Sequence, residues 1–339
     1  MAKERIEYID IAKCIGISLV FLGHVVNEHT VTKQVVYAFH MPLFFLLSGL
    51  LVMPIKYDRT NVKGYLAKKG KGLLVPYILV ALLYSSFSLK NIPLLLYGTR
   101  ETLQMAKSLT SLWFIPVLFI GFLIIQFFFY ISNKLKLSSR IVFFIGVLFL
   151  FTLGFIMPHY KRFGDPWAFD VSLIATAFMI IGSFSKTIGD YLLRHSAWFS
   201  IILFLLSILL FLLFFGKNST EKGYMLMANA VYGAPFYFII NALSGSFSVL
   251  FLSVLISKIH VNLNILLFVG QNTLGLFLFH KPFIGVLRKI TTYLGFDYNA
   301  LLPSLVLTIA LIFISSLVVT LLTHFFPEII GKKRISNNN

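Results

Sequence analysis

Long apolar runs separated by short charged clusters fill the sequence from residue 8 to residue 325. A helix needs about 20 mostly apolar residues to cross a bilayer, and ten runs of roughly that length are present. They lie at residues 8–26, 35–55, 73–89, 112–131, 141–158, 171–188, 197–215, 234–257, 264–284 and 301–325. The pattern predicts an all-α, polytopic helical membrane bundle with about ten transmembrane helices.

The eighth run is the least regular. The chain is nearly uncharged from Tyr224 to Ile256, and Gly233, Pro235 and Gly245 interrupt it. Irregular backbone at membrane depth is tolerated only where protein or a water-filled cavity covers it. Residues 224–235 therefore either begin the span or form a re-entrant segment, and both interpretations stay open.

An even number of spans puts both termini on the same side of the membrane. The Lys and Arg residues are more frequent in the loops on that side, which makes it the cytoplasmic one. Six of them lie in the second connection: Lys56, Arg59, Lys63, Lys68, Lys69 and Lys71. We expect a single membrane domain over residues 1–339, with residues 326–339 as a short cytoplasmic tail and no appended soluble domain.

Composition agrees with this class and limits the partners. The chain has 58% hydrophobic and 12% charged residues, too apolar for a soluble domain. The formal charge of +17 falls in short clusters between apolar runs, which argues against nucleic acid as a partner. The bilayer, with its anionic lipids, and anionic substrates are the expected partners.

The first span carries unusual chemistry for a membrane helix. It contains Asp10, Lys13 and His24, and His40 follows near the start of the second span. An ionisable group at the bilayer centre costs about 3 kcal/mol or more, so these groups predict a functional site. In the alternative interpretation, Asp10 and Lys13 reach the headgroups and the histidines are neutral at the far interface.

Helical geometry separates the roles of these side chains. Lys13 and His24 are eleven residues apart, so they share one helix face but lie about 16 Å apart along the axis. Asp10, three residues before Lys13, is close enough to pair with it. It is too far from His24 to orient the imidazole, so any orienting partner must come from another span.

The sequence from Tyr8 to His24 resembles the first helix of the acyltransferase-3 family of integral membrane O-acyltransferases. That helix has a Tyr, an Asp and an Arg, with Gly-His following ten residues after the Arg. Tyr8, Asp10, Gly23 and His24 match, and Lys13 replaces the Arg, as in a subgroup similar to fucose 4-O-acetylase. Four further segments resemble family patterns: FHMPLFFLLSG at 39–49, YLAKKGKGLLVPY at 65–77, SLWFIPVLF at 111–119 and GQNTLGLFLFH at 270–280.

The resemblance implies a membrane O-acetyltransferase of the cell envelope, in a bacterial plasma membrane. Such an enzyme moves an acyl group, usually acetyl, from cytoplasmic acyl-CoA to a hydroxyl of a cell-surface or lipid-linked carbohydrate. Acetyl-CoA is then a co-substrate, and no metal is implied. We expect Lys13 and the cytoplasmic Lys68, Lys69 and Lys71 to meet the phosphates of CoA. His24 is the expected general base, or alternatively the carrier of an acyl-histidine intermediate.

Five further residues are candidates for lining an acceptor site or cavity. His40 is either a residue at a helix kink before Pro42 or a second imidazole near the acceptor. Trp113 is either an interface anchor or a platform for a sugar. Thr273 and His280 share a helix face two turns apart, with Asn272 alongside; the alternative places His280 at an aqueous boundary.

A transporter or flippase is the alternative function. In that case Asp10, Lys13, His24 and His280 relay protons or line a substrate path. The histidines show no metal-ligand spacing, so no metal site is expected.

Overall fold

The computed structural model describes residues 6–106, 109–157, 165–218, 220, 223–259 and 261–332. Within these ranges the chain forms α-helices, short 3-10 turns and a π-helical turn, with one isolated β-bridge between Leu226 and Val231 and no strand. The helices of the first half are α1 (Glu7–Val25), α2 (Val31–Tyr37), α3 (His40–Leu50), α4 (Arg59–Lys69), α5 (Val75–Tyr84), α6 (Ile92–Tyr97), α7 (Arg100–Met105), α8 (Phe114–Leu135) and α9 (Ser139–Ile156). Those of the second half are α10 (Phe169–Arg194), α11 (Ala197–Phe215), α12 (Pro235–Ser257), α13 (Asn264–Gln271), α14 (Thr273–Phe279), α15 (Lys281–Tyr293) and α16 (Leu301–Phe325).

Seven helical stretches in the described part of the chain are long and apolar enough to cross a membrane. They are Glu7–Val25, Thr110–Leu135, Ser139–Ile156, Pro166–Arg194, Ala197–Phe215, Pro235–Ser257 and Leu301–Phe325. Each coincides with a predicted span, and the all-α polytopic class is confirmed. The other three predicted spans, at residues 35–55, 73–89 and 264–284, are built from shorter helices.

The second predicted span is broken between α2 and α3. Ala38 and Phe39 separate the two helices, and the side chain of His40 bonds through Nδ1 to the carbonyl oxygen of Val36 at 2.9 Å. This contact satisfies a carbonyl at the end of α2. Pro42 is tolerated because it lies in the first turn of α3, where its missing N–H has no intrahelical partner to lose.

The basic second connection is helical. Asp58 caps α4 by accepting from the backbone N–H of Asn61 at 2.9 Å, and a π-helical turn at Gly70–Leu74 leads into α5. The ninth predicted span is divided into α13 and α14 at Asn272. The division at Asn272 lies inside a run that hydropathy alone reads as continuous, whereas the π-helical turn lies where the basic connection meets the third predicted span.

Contacts group the chain into two compact units. Unit 1 comprises residues 1–47, 184–226 and 231–320. Its central helix is α1, which packs against α12 and α13, while α11 packs along α12. Most of α1 is buried, and its ionisable residues have polar partners there: Asp10 pairs with Lys13 of the same helix, and His24 contacts His280.

Unit 2 comprises residues 48–183, 227–230 and 321–339, and in it α8 packs against α9. Pro327 and Ile330 are buried in a 3-10 turn that packs against α5. The described beginning of the predicted tail is therefore part of this unit, whereas residues 333–339 lie outside the described ranges. The single-domain organisation and the side of the membrane on which the tail lies remain predictions.

Residues 224–234 form a buried loop before α12. Tyr224 and Tyr232 are buried, and the bridge between Leu226 and Val231 closes the loop. Asn218 secures it, donating to the carbonyl of Tyr232 at 2.9 Å and accepting from the N–H of Ala234 at 3.0 Å. The backbone is therefore irregular until α12 begins at Pro235, as the interrupting Gly and Pro residues suggested.

Candidate active site

His24 lies in the last turn of α1, where the helix carbonyls have no intrahelical partners. The guanidinium of Arg288, on α15, supplies donors to this end of the helix. Its Nε donates to the carbonyl of Val25 at 2.8 Å, and its Nη2 donates to those of His24 at 2.9 Å and Val26 at 3.3 Å. A cation at a helix C-terminus also complements the helix dipole, so Arg288 fixes the backbone from which His24 projects.

The imidazole of His24 contacts His280, which is 256 residues away along the chain. His24 Nδ1 and His280 Nε2 are 2.7 Å apart, the ring centroids are 5.0 Å apart, and the planes differ by 22°. A centroid separation much larger than the N···N distance means that the rings meet edge to edge, not face to face. This is a hydrogen bond between two nearly coplanar imidazoles.

The other nitrogen of His280 fixes the direction of that hydrogen bond. His280 Nδ1 is 2.7 Å from the carbonyl oxygen of Phe277, which can only accept, so this nitrogen carries a proton. With both rings neutral, His280 Nε2 is then an acceptor, and His24 Nδ1 must donate to it. The lone pair of His24 is therefore on Nε2, at the free end of the chain of hydrogen bonds.

Burial differs between the two rings. His280 is 0% exposed and stacks on Phe21 with centroids 4.8 Å apart and planes 18° apart, whereas His24 is only partly buried. The more accessible imidazole of His24 suits contact with a substrate, and the enclosed His280 suits the role of holding His24 in place.

Two lysines lie near this pair in unit 1. Lys33 and Lys281, together with the imidazole of His40, are within electrostatic range of His24. The ammonium of Lys33 is buried and lies 4.7 Å from the ring centroid of Tyr37, whose ring packs against Gly23. The surroundings of His24 are thus positively charged, which favours anionic groups that form or bind near it.

The opposite end of α1 holds the predicted ion pair. Lys13 Nζ donates to Asp10 Oδ1 at 3.1 Å, and Asp10 is buried. Tyr8 donates to Asp190 Oδ1 at 3.5 Å. A Cβ added to Gly270 would overlap the carbonyl oxygen of Asp10, so α13 touches the backbone of α1 here, and only glycine permits that approach.

The predicted donor lysines lie in unit 2. Lys68 and Lys71 are exposed, whereas the ammonium of Lys69 lies 3.1 Å from the ring centroid of Phe122 in a cation–π contact. Trp113 also belongs to this unit and is buried, 6% exposed, against Phe114. A shared binding role for these lysines and Lys13 remains a prediction.

The remaining candidates have structural contacts of their own. Asn272 is buried at the break between α13 and α14 and donates to the carbonyl of Phe268 at 2.7 Å. Thr273, the first residue of α14, is partly buried. His40 Nδ1 bonds to the carbonyl of Val36 at the break before α3, and its imidazole is within electrostatic range of His24. In the described ranges no group of three or more His, Cys, Asp or Glu side chains has the arrangement of a metal site.

Comparison with known families decides the family to which this chain belongs. A sequence model of the acyltransferase-3 family, described as an acyltransferase domain, matches residues 6–324. The chain belongs to the acyltransferase-3 family. Comparisons with curated proteins and with solved structures gave no match. With its long apolar helices, this acyltransferase is a multi-pass membrane protein, and the fucose 4-O-acetylase-like subgroup remains a prediction.

The sequence predicted His280 as a residue that lines the acceptor site or cavity, but no local pattern links it to His24. Arg288 was not predicted as a functional residue, because its contacts with the carbonyls of residues 24–26 join distant parts of the chain. Family membership favours acyl transfer over transport or flipping as the use of these polar groups.

Proposed function

We propose that this acyltransferase moves an acyl group, in the first place acetyl, from cytoplasmic acyl-CoA to a hydroxyl of a cell-surface or lipid-linked carbohydrate. The proposed location is a bacterial plasma membrane, and His24 is the proposed general base. The observation that carries the proposal is the pair of hydrogen bonds that links His24 to His280 and His280 to the carbonyl of Phe277.

These hydrogen bonds give His24 the properties of a base. His24 Nε2 takes the proton of the acceptor hydroxyl as its oxygen attacks the thioester carbonyl carbon. The imidazolium that forms at His24 keeps its Nδ1–H bond to His280, and the Phe277 carbonyl holds His280 in the required tautomer. When the tetrahedral intermediate collapses, the C–S bond breaks, and the departing CoA thiolate takes the proton from His24.

The cationic surroundings support the same step. The tetrahedral intermediate carries negative charge on the former carbonyl oxygen, and the positive charge of Lys33 and Lys281 near His24 lowers the energy of that charge. The ammonium of Lys13, about 16 Å from His24 along the helix axis, suits the phosphate end of CoA, so α1 spans the length of the pantetheine arm. Exposed Lys68 and Lys71 are proposed as further phosphate contacts.

The experiment uses purified full-length protein in nanodiscs with acetyl-CoA and a panel of glycan acceptors. Free thiol release that depends on acceptor, with an acetyl mass increment on the glycan, is expected for the wild type and lost in His24→Ala. His195→Ala is the matched control, because His195 is an exposed histidine that lies outside the site. Acceptor acetylation that persists at the wild-type rate in His24→Ala would remove His24 from the mechanism.

A single-turnover measurement separates the two chemical routes. Direct transfer predicts no thiol release when acetyl-CoA is added without acceptor. An acyl-histidine intermediate predicts one equivalent of thiol and an acetyl increment on the peptide that contains His24.

A further inference from the structure

Unit 2 contains a cleft of about 710 Å³ that the site around His24 does not use. It lies between the loop at residues 54–57 and the turn that joins α8 to α9, with Lys56 and Lys136 in its lining. With cytoplasmic termini and alternating spans, the connections after the second and the fourth predicted span are both expected to be cytoplasmic. On that prediction, the cleft lies at the face of the membrane where nucleotides and anionic lipid headgroups are found.

Buried polar side chains hold the first wall in place. Gln126 of α8, only 6% exposed, donates through Nε2 to the carbonyl of Met53 at 2.8 Å. Tyr57 donates to the backbone carbonyl of Gln126 at 3.1 Å. These two bonds tie both ends of the loop at residues 53–57 to α8, so the segment that carries Lys56 has a fixed path.

The second wall is held by Ser132, which is buried at 5% exposure. Its hydroxyl bonds to the carbonyl of Leu137 and to the hydroxyl of Ser139, both at 2.9 Å. Lys136 occupies the left-handed region at φ 53°, which turns the chain sharply between α8 and α9. The turn is therefore closed on itself, and it directs Lys136 to the lining of the cleft.

The charge of the cleft is positive. Its lining residues include the two lysines, both exposed, and hydroxyl or amide groups, but no Asp or Glu. Asp58 follows Tyr57 along the chain, yet its carboxylate accepts hydrogen bonds from Asn61 at the start of α4. The beginning of α9 at Ser139 adds the positive end of an 18-residue helix.

We infer that this cleft binds a phosphate-bearing ligand. Two sources supply that chemistry at this face: the nucleotide phosphates of CoA and the headgroup of an anionic phospholipid. Binding of CoA here rests on the proposed function and deepens it, whereas binding of a lipid does not depend on it.

The test compares Lys56→Gln/Lys136→Gln with Lys63→Gln/Lys90→Gln, which removes two exposed lysines outside the lining. Full-length proteins in phosphatidylcholine nanodiscs are titrated with CoA and with adenosine 3′,5′-bisphosphate. In a second arm, phosphatidylglycerol retained by the detergent-solubilised protein is counted by native mass spectrometry. We expect Lys56→Gln/Lys136→Gln to bind either the two nucleotide probes or phosphatidylglycerol roughly tenfold or more weakly than the wild type, because it loses two charge-assisted contacts. The control variant should stay within about twofold of the wild type.

The arms identify the source. Weaker binding of both nucleotide probes assigns the cleft to CoA, and loss of retained phosphatidylglycerol assigns it to lipid. Lys56→Arg/Lys136→Arg keeps the charge and is expected to restore binding, which separates lost contacts from misfolding. Equal binding of every probe by the Gln double variant and the wild type overturns the inference, as does a wild type that binds none of them. Thiol release by the wild type, measured separately, reports on the proposed function.

Discussion

His280→Phe tests whether the pair of histidines is the working part of the site. The variant keeps an aromatic ring between Phe21 and His24 but removes the nitrogen that accepts from His24 Nδ1 at 2.7 Å. The Nδ1–H of His24 then loses its partner, and the imidazole is free to rotate and to move its proton to Nε2. In that tautomer the edge that faced the acceptor hydroxyl is a donor and cannot act as a base.

The size of the effect follows from these two losses. An unsatisfied donor in a partly buried site costs about 1–3 kcal/mol, equivalent to about 5- to 150-fold in rate if the cost falls on the transition state. Replacing the orienting carboxylate of a serine protease triad costs about 10⁴-fold, but here the orienting group is a neutral imidazole, which stabilises the imidazolium less. We expect kcat/KM to fall about 100-fold, within the range for a positioned base, while KM for acetyl-CoA changes by less than about threefold.

The assay is thiol release with saturating acceptor, combined with thermal unfolding of each variant in the same nanodiscs. His280→Gln, which retains an acceptor oxygen, is expected to recover part of the rate. His195→Phe is the matched control, because His195 Nδ1 also bonds a backbone carbonyl, that of Tyr191 at 2.8 Å, away from the site. His24→Ala/His280→Phe should be no slower than His24→Ala, since the two residues act as one unit. A folded His280→Phe protein with kcat/KM within about threefold of the wild type would refute the assignment of His280 as the orienting group.

Three further predictions address the support of the site. Arg288→Ala should lower kcat/KM and speed amide hydrogen exchange at residues 22–26, because Arg288 contacts the carbonyls at the end of α1. Arg288→Lys should be intermediate, and Lys289→Ala should behave as the wild type. Unchanged exchange in Arg288→Ala would contradict the capping role. Gly270→Ala should destabilise the protein by about 1–3 kcal/mol in thermal or denaturant unfolding, because the added Cβ meets the backbone of Asp10. Gly285→Ala, which adds a Cβ in open space, should be neutral or slightly stabilising. Equal melting temperatures of the two variants would be inconsistent with the close approach of α13 to α1. Lys13→Met should destabilise the protein by about 1–3 kcal/mol, because it leaves the Asp10 carboxylate unpaired. Lys13→Met/Asp10→Asn should recover the stability but not the affinity for acetyl-CoA. Recovery of both stability and affinity would limit Lys13 to a structural role.

The polar residues of α1 show how far local patterns reach. The pairing of Asp10 with Lys13 follows from a spacing of three residues on a helix, and the structure has that contact at 3.1 Å. Spacing alone also excluded Asp10 as the orienting partner of His24. It placed His24 three turns beyond Lys13, and the structure adds that this position is the last turn of the helix, beside the cap formed by Arg288.

The breaks in the predicted spans show where local patterns fail. Hydropathy averages over about 20 residues, so a run of apolar side chains reads as one span whether or not its backbone is continuous. At Asn272 the backbone departs from helical geometry, and at Ala38 and Phe39 the helical hydrogen-bond pattern is interrupted. Asn272 donates to the carbonyl of Phe268, and His40 bonds to that of Val36. Both contacts join residues only four positions apart, and an average over about 20 residues does not register them.

By itself, the sequence determined that this protein is a helical membrane protein of the acyltransferase-3 family, and it predicted Asp10, Lys13 and His24 as site residues. Apolar runs and helical spacing are local properties, and the residues of one helix are enough to express them. Only the tertiary structure decided that His280 accepts from His24 and that Arg288 holds the end of α1, because both contacts join residues more than 250 positions apart. The direction of the hydrogen bond, and with it the nitrogen that can act as a base, depends on the Phe277 carbonyl, whose position is set by the fold.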